Sequence, residues 1–401
     1  MGQREWQNYV NKIHIENTGY LLLMPILIDL ISVLVRQFGV FSSSTVTMAI
    51  YGLSLAVILI RLLKIASTHE LINDCLCLII LYMPFLINYI LFENTRTYIV
   101  SQDMLIVDFF FIPLSVFTVR KITKWEAFFD YLRYPGYAVL AIAAFIMIFL
   151  DYQTYLVYMG FSYALLPFIC NFYRMARIGN LIKKRVFHLS LYVAGMAMIL
   201  AFGARAAVAF GILYIFVFEI LRSDNKQSDK LISIIVLAVA GFAVWLNITA
   251  ITQALAALPL FKDSYFMKNL LKGNLLESTS RDTLYEACRD RINTVGISVS
   301  GFFGDRQYCL GYAYPHNIIY EVLMSQGWLL GIAEILAYVA LIIKGALNLP
   351  SGKRDLFAFL IITMFARYFV SGSYLVEGRF WLVSAMFIGM TSRNRDTNID
   401  W

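Results

Sequence analysis

Long apolar runs recur along the whole chain, and they restrict it to a bundle of membrane-spanning helices. A spanning helix needs about 20 mostly apolar residues. Composition agrees, because 60% of the residues are hydrophobic and only 15% are charged, whereas soluble domains average about 45–50% and about 25%. Disorder and nucleic-acid binding are excluded, since both need a polar or strongly basic surface. The predicted spans are 18–35, 43–63, 71–92, 98–119, 135–150, 155–173, 186–203, 206–221, 231–250, 317–343, 355–373 and 380–391.

The spacing of these runs predicts an all-α polytopic membrane protein of about 12 transmembrane helices in three parts. Residues 1–250 hold helices 1–9, residues 251–316 form one large loop, and residues 317–401 hold helices 10–12. The loop carries bulky apolar residues throughout, so we expect it to be folded. Loops of this length between compact helices are usually functional or disordered.

The distribution of Lys and Arg predicts the orientation of the chain. Of the 33 basic residues, 21 lie in one alternating set of loops and termini, and four lie in the short loops of the other set. Cytoplasmic loops hold the excess of basic residues, so we expect both termini to be cytoplasmic and the large loop to be extracytoplasmic. No cleavable signal peptide is expected, because the polar segment 1–17 precedes a run long enough to stay in the membrane.

Residues 278–294 of the loop have the pattern of a helix that begins at Ser or Thr. Asp282, Glu286 and Asp290 would share one face of it, with Arg281 and Arg289 on a neighbouring face. One interpretation is a solvated helix held by its own ion pairs. The other is that Arg281 or Arg289 turns toward the membrane and binds a phosphate, which the planar guanidinium suits.

After this helix, glycines at 301, 304 and 311 indicate a tight loop. Pro315 then precedes a re-entering helix with His316 and Asn317 at its extracytoplasmic end. A histidine there is either a structural interfacial residue or a proton-transfer group. Gly327 and Gly331, which flank Trp328, indicate that 317–326 is a short helix partly separate from the span that follows it.

Charged residues inside the predicted spans are costly in a bilayer and therefore expected to be buried in protein or water. Arg205, in an extracytoplasmic turn of small residues, either snorkels to lipid headgroups or binds an anion. For Arg367, a partner such as Asp103, Asp108 or Glu334 would make the residue structural. Because arginines from several parts of the chain, Arg379 included, converge on one side, we expect a lipid diphosphate there. The charged residues in or near the spans are Asp29, Asp103, Asp108, Arg205, Glu321, Glu334 and Arg367.

In this order, the features resemble the bacterial O-antigen polymerase (Wzy-type) and O-antigen ligase superfamily. The similarity covers roughly the second half of the chain. The family usually has Ser or Gly before the first Arg, where this chain has Ala204. The motifs that carry the resemblance are Gly203-Ala204-Arg205, Ser280-Arg281, Gly301 to Gly304, His316-Asn317 and Gly327.

The resemblance implies a GT-C-like enzyme of the bacterial inner membrane that joins undecaprenyl-diphosphate-linked glycans at the periplasmic face. Membrane lipids and a chain-length regulator protein are the implied partners, and no cofactor is implied. Diphosphate is a good leaving group, so positive charge matters more than a strong acid. The acceptor hydroxyl needs a base. Arg205 and Arg281, then Arg289 and Arg379, are the expected diphosphate ligands; His316 is the first candidate base, and Glu321 and Asp305 are the second.

Three further expectations follow from the sequence. No Asp-x-Asp pair occurs in the chain, so no metal site is predicted. An O-antigen ligase acting on lipid A-core, or a flippase for lipid-linked oligosaccharides, stays open as an alternative function. Cys288 and Cys309 share the loop and are 21 residues apart, and we expect them to form a disulfide worth about 3 kcal/mol.

Overall fold

A computed structural model of the chain describes residues 68–119, 127–149, 158–179, 181–221 and 281–392, together with isolated positions elsewhere. The described part is all-helical. Its main helices are α1 (Thr68–Leu91), α2 (Ile112–Val119), α3 (Ala127–Phe149), α4 (Tyr158–Ile178), α5 (Ile182–Ala201), α6 (Arg205–Leu221), α7 (Arg281–Val295), α8 (Ile318–Asn348), α9 (Ser351–Leu360) and α10 (Gly378–Ser392).

Four of these helices are long and apolar enough to cross a membrane: α1 from Ile72, α3, α5 and α8. A fifth span results if the segments Glu93–Ile99 and Met104–Phe117, bent by 66°, count as one. Helices occupy the other described positions at which spans were predicted, but they are too short or too polar by the same measure. The prediction of twelve spans is therefore confirmed only as four or five membrane-compatible helices. The predicted spans 18–35, 43–63 and 231–250, and most of the predicted loop before 281, lie outside the described residues.

Helix α4 is the centre of the described bundle. Every residue from 161 to 173 is buried, because α3, α5, α6 and the segment after α9 pack around it. Glycines allow the closest of these contacts. A Cβ added at Gly195 would lie 2.6 Å from Ile169, and one at Gly211 would lie 2.6 Å from Met196. Small residues at helix contacts are typical of packing in membranes, where close approach replaces the hydrophobic driving force.

Helix α8 bends at Gly327, as the glycine pattern predicted. Gly327 has φ 69° and ψ −177°, a backbone conformation that is almost restricted to glycine. The bend gives up helical hydrogen bonds, and the loop after α7 replaces them. The Trp328 amide donates to the Gly296 carbonyl at 2.7 Å, and the Ser300 amide donates to the Ser325 carbonyl at 2.8 Å. The large loop is therefore fastened to the break in α8.

The predicted disulfide is wrong for this structure, in which Cys288 and Cys309 are both free thiols. Both are buried in one apolar cluster with Leu284, Ile292 and Met324. The Cys309 thiol donates to the Asp305 carbonyl at 3.3 Å. The two side chains are thus core residues that join α7 to the following loop and to α8.

Candidate functional site

The segment 301–306 is held against α1. The Phe302 amide donates to the Asn88 side-chain oxygen at 2.6 Å, and Asn88 is buried and donates in turn to Thr95 at 2.9 Å. Gly301 has φ 83°, and its missing side chain lets Asn88 and Phe92 approach. These contacts of the segment 301–306 with α1 determine where the next polar residues, Asp305 and Arg306, enter the protein.

Arg306 is the centre of a buried ionic network, which we call the Arg306 network (Asp305, Arg306, Glu321 and Ser373). Its guanidinium is paired with Asp305 and bonds Glu321 at 2.7 Å and Ser373 at 2.8 Å. Asp305 and Glu321 are fully buried, and the Arg306 side chain is 6% exposed. Burying a lone charge is prohibitive, whereas a hydrogen-bonded set of opposite charges is tolerated. The network therefore locks the loop to α8 and to the turn before α10.

Burial and mutual contact shift the pKa values of the charged groups in the Arg306 network. Burial raises the pKa of Asp305, and the adjacent Arg306 opposes that shift without cancelling it. For Arg306, burial on its own would lower the pKa, but Asp305 and then Glu321 raise it above its ordinary value. Asp305 and Glu321, the second-choice bases from the sequence, thus have their oxygens engaged by Arg306, Ser325 and Ser373.

A second group of polar residues lies where the chain leaves α9. The helix changes there to a π-helical turn, Ile361–Phe365, and then to a 3-10 turn, Ala366–Phe369. These irregular turns present Arg367, whose Nη2 donates to Glu377 at 2.9 Å. The Arg367 guanidinium also lies 5.0 Å from the Tyr163 ring centroid. The partner of Arg367 is therefore Glu377 rather than Asp108 or Glu334, and the side chain of Asp103 lies outside the described part of the chain.

Arg281 and Asn317 bind the carbonyl groups that these turns leave open. Arg281 Nη1 donates to the Val370 carbonyl at 2.8 Å. The Asn317 side-chain amide donates to the Phe369 carbonyl at 3.1 Å. The Asn317 oxygen also accepts from the Ile319 amide at 2.9 Å and so caps α8. The first residues of α7 and of α8 therefore meet at one point, the turns that follow α9.

His316 lies at that point in a strained conformation, with φ 59°. Its ring contacts Tyr314 at a centroid distance of 4.4 Å and Tyr312 at 5.8 Å. Its Nδ1 is buried without a hydrogen-bond partner. Burial, and secondarily the charge of Arg281, lower the pKa of His316 from 6.5 to about 4. The imidazole is therefore neutral at pH 7 and has a free nitrogen lone pair, subject to its tautomer.

These residues form one constellation, the Arg281 cluster (Arg281, His316, Tyr314, Arg367 and Glu377). Both arginines, Glu377 and Tyr314 act electrostatically on Tyr163 of α4. Tyr314 links the cluster to the Arg306 network. Burial and, to a smaller extent, the charge of Glu377 raise the pKa of Tyr314. The charge of Glu321 acts in the same direction. The cluster therefore combines two cations with a neutral imidazole.

The remaining predicted ligands differ in their placement. Arg205 is half-buried at the first residue of α6. Tyr214 of α6 packs on Phe359 at 5.4 Å, and Glu219 near the end of α6 bonds Arg177, so Arg205 begins its helix at the end of the bundle that holds the Arg281 cluster. Arg379 is buried in the first turn of α10, two residues after Glu377.

Arg289 does not join the others, because it is exposed on α7. The acidic face predicted for this helix is confirmed: Asp282, Glu286 and Asp290 are exposed. Its buried face carries Leu284, Cys288, Ile292 and Val295.

Sequence reasoning missed Glu377 and Tyr314 as members of the cluster, and it missed Tyr163 as the α4 residue beside it. Arg367 carried a signal, because a charge inside an apolar run requires a buried partner. No pattern in the sequence marks the two tyrosines, since aromatic residues are frequent throughout this chain.

The opposite end of α4 carries a separate set of ion pairs. Arg174 bonds Asp355 at 2.7 Å, and Arg177 bonds Glu219 at 2.5 Å. Tyr163 and Arg177 are 14 residues apart on one helix, roughly 20 Å along its axis at 1.5 Å per residue. The two charged ends therefore lie on opposite sides of the apolar layer formed by 161–173.

Among the residues that the structure describes, no three His, Cys, Asp or Glu side chains are grouped so that they could hold a metal ion. No model of a known protein family, no curated protein and no solved structure matches this chain.

Proposed function

We propose that the protein is a glycosyltransferase that polymerises a bacterial surface polysaccharide. Its donor would be an oligosaccharide on undecaprenyl diphosphate, and its acceptor would be a sugar hydroxyl of a second lipid-linked unit. The Arg281 cluster carries this proposal. Two arginines and a neutral histidine converge there at one end of the helical bundle, opposite the Arg174 end that the basic-residue count predicts to be cytoplasmic.

The chemistry that such a cluster supports is a direct displacement at the anomeric carbon. The acceptor oxygen forms a bond to C1 while the bond from C1 to the diphosphate oxygen breaks. The leaving diphosphate keeps the electron pair and remains on the lipid, and the configuration at C1 inverts. The reaction places negative charge on the leaving group, so fixed cations beside it stabilise the transition state more than the ground state.

Arg281 and Arg367 have the donors that this step needs. A guanidinium has five N–H donors, and Arg281 commits one of them to the Val370 carbonyl and another to the Tyr285 side chain. Arg367 Nε is buried without a hydrogen-bond partner, while its Nη2 is held by Glu377. A phosphate oxygen between the two arginines would satisfy that Nε. Arg205 and Arg379, which lie in the first turns of α6 and α10, would extend the positive region toward the second phosphate.

His316 is the proposed proton acceptor. Its neutral state at pH 7 and its unpartnered Nδ1 suit removal of the proton from the acceptor hydroxyl. A pKa near 4 makes it a weak base, so the proton would transfer only as the bond to C1 forms. Asp305 and Glu321 would instead position the loop through Arg306.

A gel of surface glycolipid tests the proposal in cells with and without the gene. A polymerase predicts that deletion reduces the ladder to lipid A-core bearing one repeat unit. Restoration of the ladder by the wild type and by Arg289→Ala, but not by Arg281→Ala, would tie that activity to the cluster. Loss of even the single repeat would instead indicate a ligase or a flippase. The side of the membrane on which lipid-linked units accumulate would separate those two.

A further inference from the structure

An open cleft of about 220 Å³ lies at the Arg174 end of the bundle, where α3, α4 and α5 meet. It is distinct from the Arg281 cluster, since its lining residues lie at the other end of α4. Its floor is apolar and includes Phe129 and Met175. Its polar lining residues are Asp130, Arg133, Asn171, Arg174, Lys184 and His188.

Of the three cations of the cleft, Arg133 bonds the Tyr137 side chain and lies 5.4 Å from the Tyr134 ring centroid. Arg174 is committed, because it bonds Asp355 at 2.7 Å and lies 3.7 Å over the Phe129 ring centroid. Arg133 and Lys184 come from different helices, and both act electrostatically on His188. They therefore face the same space, and Asp130 supplies the opposing charge of the lining.

Three buried polar atoms in the lining have no hydrogen-bond partner, namely Arg133 Nε, Asn171 Oδ1 and His188 Nδ1. Asn171 is fully buried, and its amide nitrogen already donates to the Phe129 carbonyl at 3.0 Å. Buried polar groups are seldom left unpaired, since each costs about 1–3 kcal/mol. The first two of these atoms require a ligand with an anionic acceptor for Arg133 and a donor for Asn171.

The rim of the cleft indicates that this ligand has an apolar part. Tyr134 is 71% exposed, Ile182 is 76% exposed and Phe187 is 53% exposed. They belong to α3 and α5, two of the helices suited to span a membrane. Hydrocarbon chains would cover these side chains, whereas a free anion would leave them uncovered.

We propose that this cleft binds the headgroup of an anionic glycerophospholipid. The phosphate would accept from Arg133 and Lys184, a headgroup hydroxyl would donate to Asn171, and the acyl chains would lie along α3 and α5. Basic pockets between membrane helices are suited to such headgroups. The cleft is separate from the Arg281 cluster, so this proposal does not depend on the proposed function.

The test is a titration of the purified full-length protein with phosphatidylglycerol, followed by native mass spectrometry. Arg133→Gln and Lys184→Gln should each weaken binding roughly fivefold, from about 1 kcal/mol per basic residue. Lys183→Gln is the matched control, because Lys183 is the exposed neighbour outside the cleft lining and loses the same charge. Lys184→Arg should restore binding, which distinguishes a lost contact from a misfolded variant.

Three outcomes would overturn the proposal. Equal weakening by Lys183→Gln and Lys184→Gln would show only a general effect of surface charge. Binding of phosphatidylcholine as tight as that of phosphatidylglycerol would show that the cleft does not recognise the negative charge of the headgroup. Displacement of the lipid by excess inorganic phosphate would make the cleft a site for a free anion. Unchanged binding of phosphatidylglycerol in the presence of phosphate is the result we expect.

Discussion

Arg281, the first residue of α7, donates a hydrogen bond to the backbone carbonyl of Val370, 89 residues later. That carbonyl is open because the chain after α9 passes through a π-helical and a 3-10 turn and then ends its helical path. The preceding carbonyl, of Phe369, is bound by Asn317. Arg281 of α7 and Asn317, the N-cap of α8, thus cap one broken helix. This double cap places the positive groups of the Arg281 cluster together.

Replacement of Arg281 by Ala should reduce polymer formation by about 10- to 100-fold, the equivalent of one charged hydrogen bond to a phosphate. Arg205→Ala should act in the same direction. Polymer length and amount on a glycolipid gel are the readout, with the membrane level of each variant measured by immunoblot. Arg289→Ala is the control, since it removes an exposed arginine from the same helix. Full polymer from both Arg281→Ala and Arg205→Ala would dispose of the diphosphate role.

Arg306→Met should destabilise the fold by about 3–5 kcal/mol, because two buried carboxylates would lose their common counter-charge. The free energy of unfolding can be measured by denaturant titration in mixed micelles. Ser373→Ala should cost less, about 1 kcal/mol, since it removes one hydroxyl from the network. Arg289→Met should change stability by less than about 0.5 kcal/mol as a surface substitution. Equal costs for Arg306→Met and Arg289→Met would contradict the structural role of the network.

His316 predicts a specific dependence of stability on pH. Its pKa in the fold, about 4, lies below the ordinary value of 6.5, so the unfolded chain binds the proton more readily. Its contribution to stability is therefore complete above pH 6.5 and is lost as the pH falls toward 4. Between pH 7 and pH 5 the wild type should lose more stability than His316→Gln, as measured by the shift in unfolding midpoint. Parallel losses in the two proteins would rule out this assignment.

The same histidine links pH to activity. If neutral His316 accepts the proton, polymer formation by the wild type should not fall through protonation of His316 between pH 7 and about pH 5, because the pKa of His316 is about 4. His316→Gln should lower the rate at every pH in that range, by about 100-fold or more for a lost general base. A variant with wild-type activity would remove His316 from the reaction and leave it as a packing residue between Tyr312 and Tyr314.

Gly327→Ala should destabilise the protein by at least about 1–3 kcal/mol, the cost of a side chain in this backbone region. An added Cβ would also press into the Ser298 carbonyl oxygen and lie 3.0 Å from that of Gly296. Gly160→Ala is the matched control, because a Cβ there meets nothing within 4 Å and alanine favours a helix. Unfolding midpoints of the two variants give the comparison. Similar midpoints would mean that α8 does not depend on its bend.

Hydrophobic periodicity and local side-chain chemistry were sufficient to predict several features of the fold. The helix from Arg281, its exposed acidic face and the bend at Gly327 follow from side-chain spacing and glycine stereochemistry alone. These are short-range properties, since they depend on residues within two or three turns of one another.

Pairing between distant residues was not predictable. Arg367 could have met any of several acids, and it meets Glu377 because a π-helical turn after α9 rotates it toward the start of α10. Cys288 and Cys309 share an apolar cluster but stay unbonded, with one thiol held by the Asp305 carbonyl. Spacing in sequence gives no information on such geometry.

The sequence by itself determined that the chain is apolar and rich in helices, because backbone polar groups in lipid are satisfied within helices and charge is costly there. Only the tertiary structure decided which charges meet. It placed Asp305 and Glu321 with Arg306, left His316 neutral beside Arg281, and formed a basic cleft at the other end of α4. Those results depend on contacts between residues far apart in the chain, and such contacts exist only once the helices have packed.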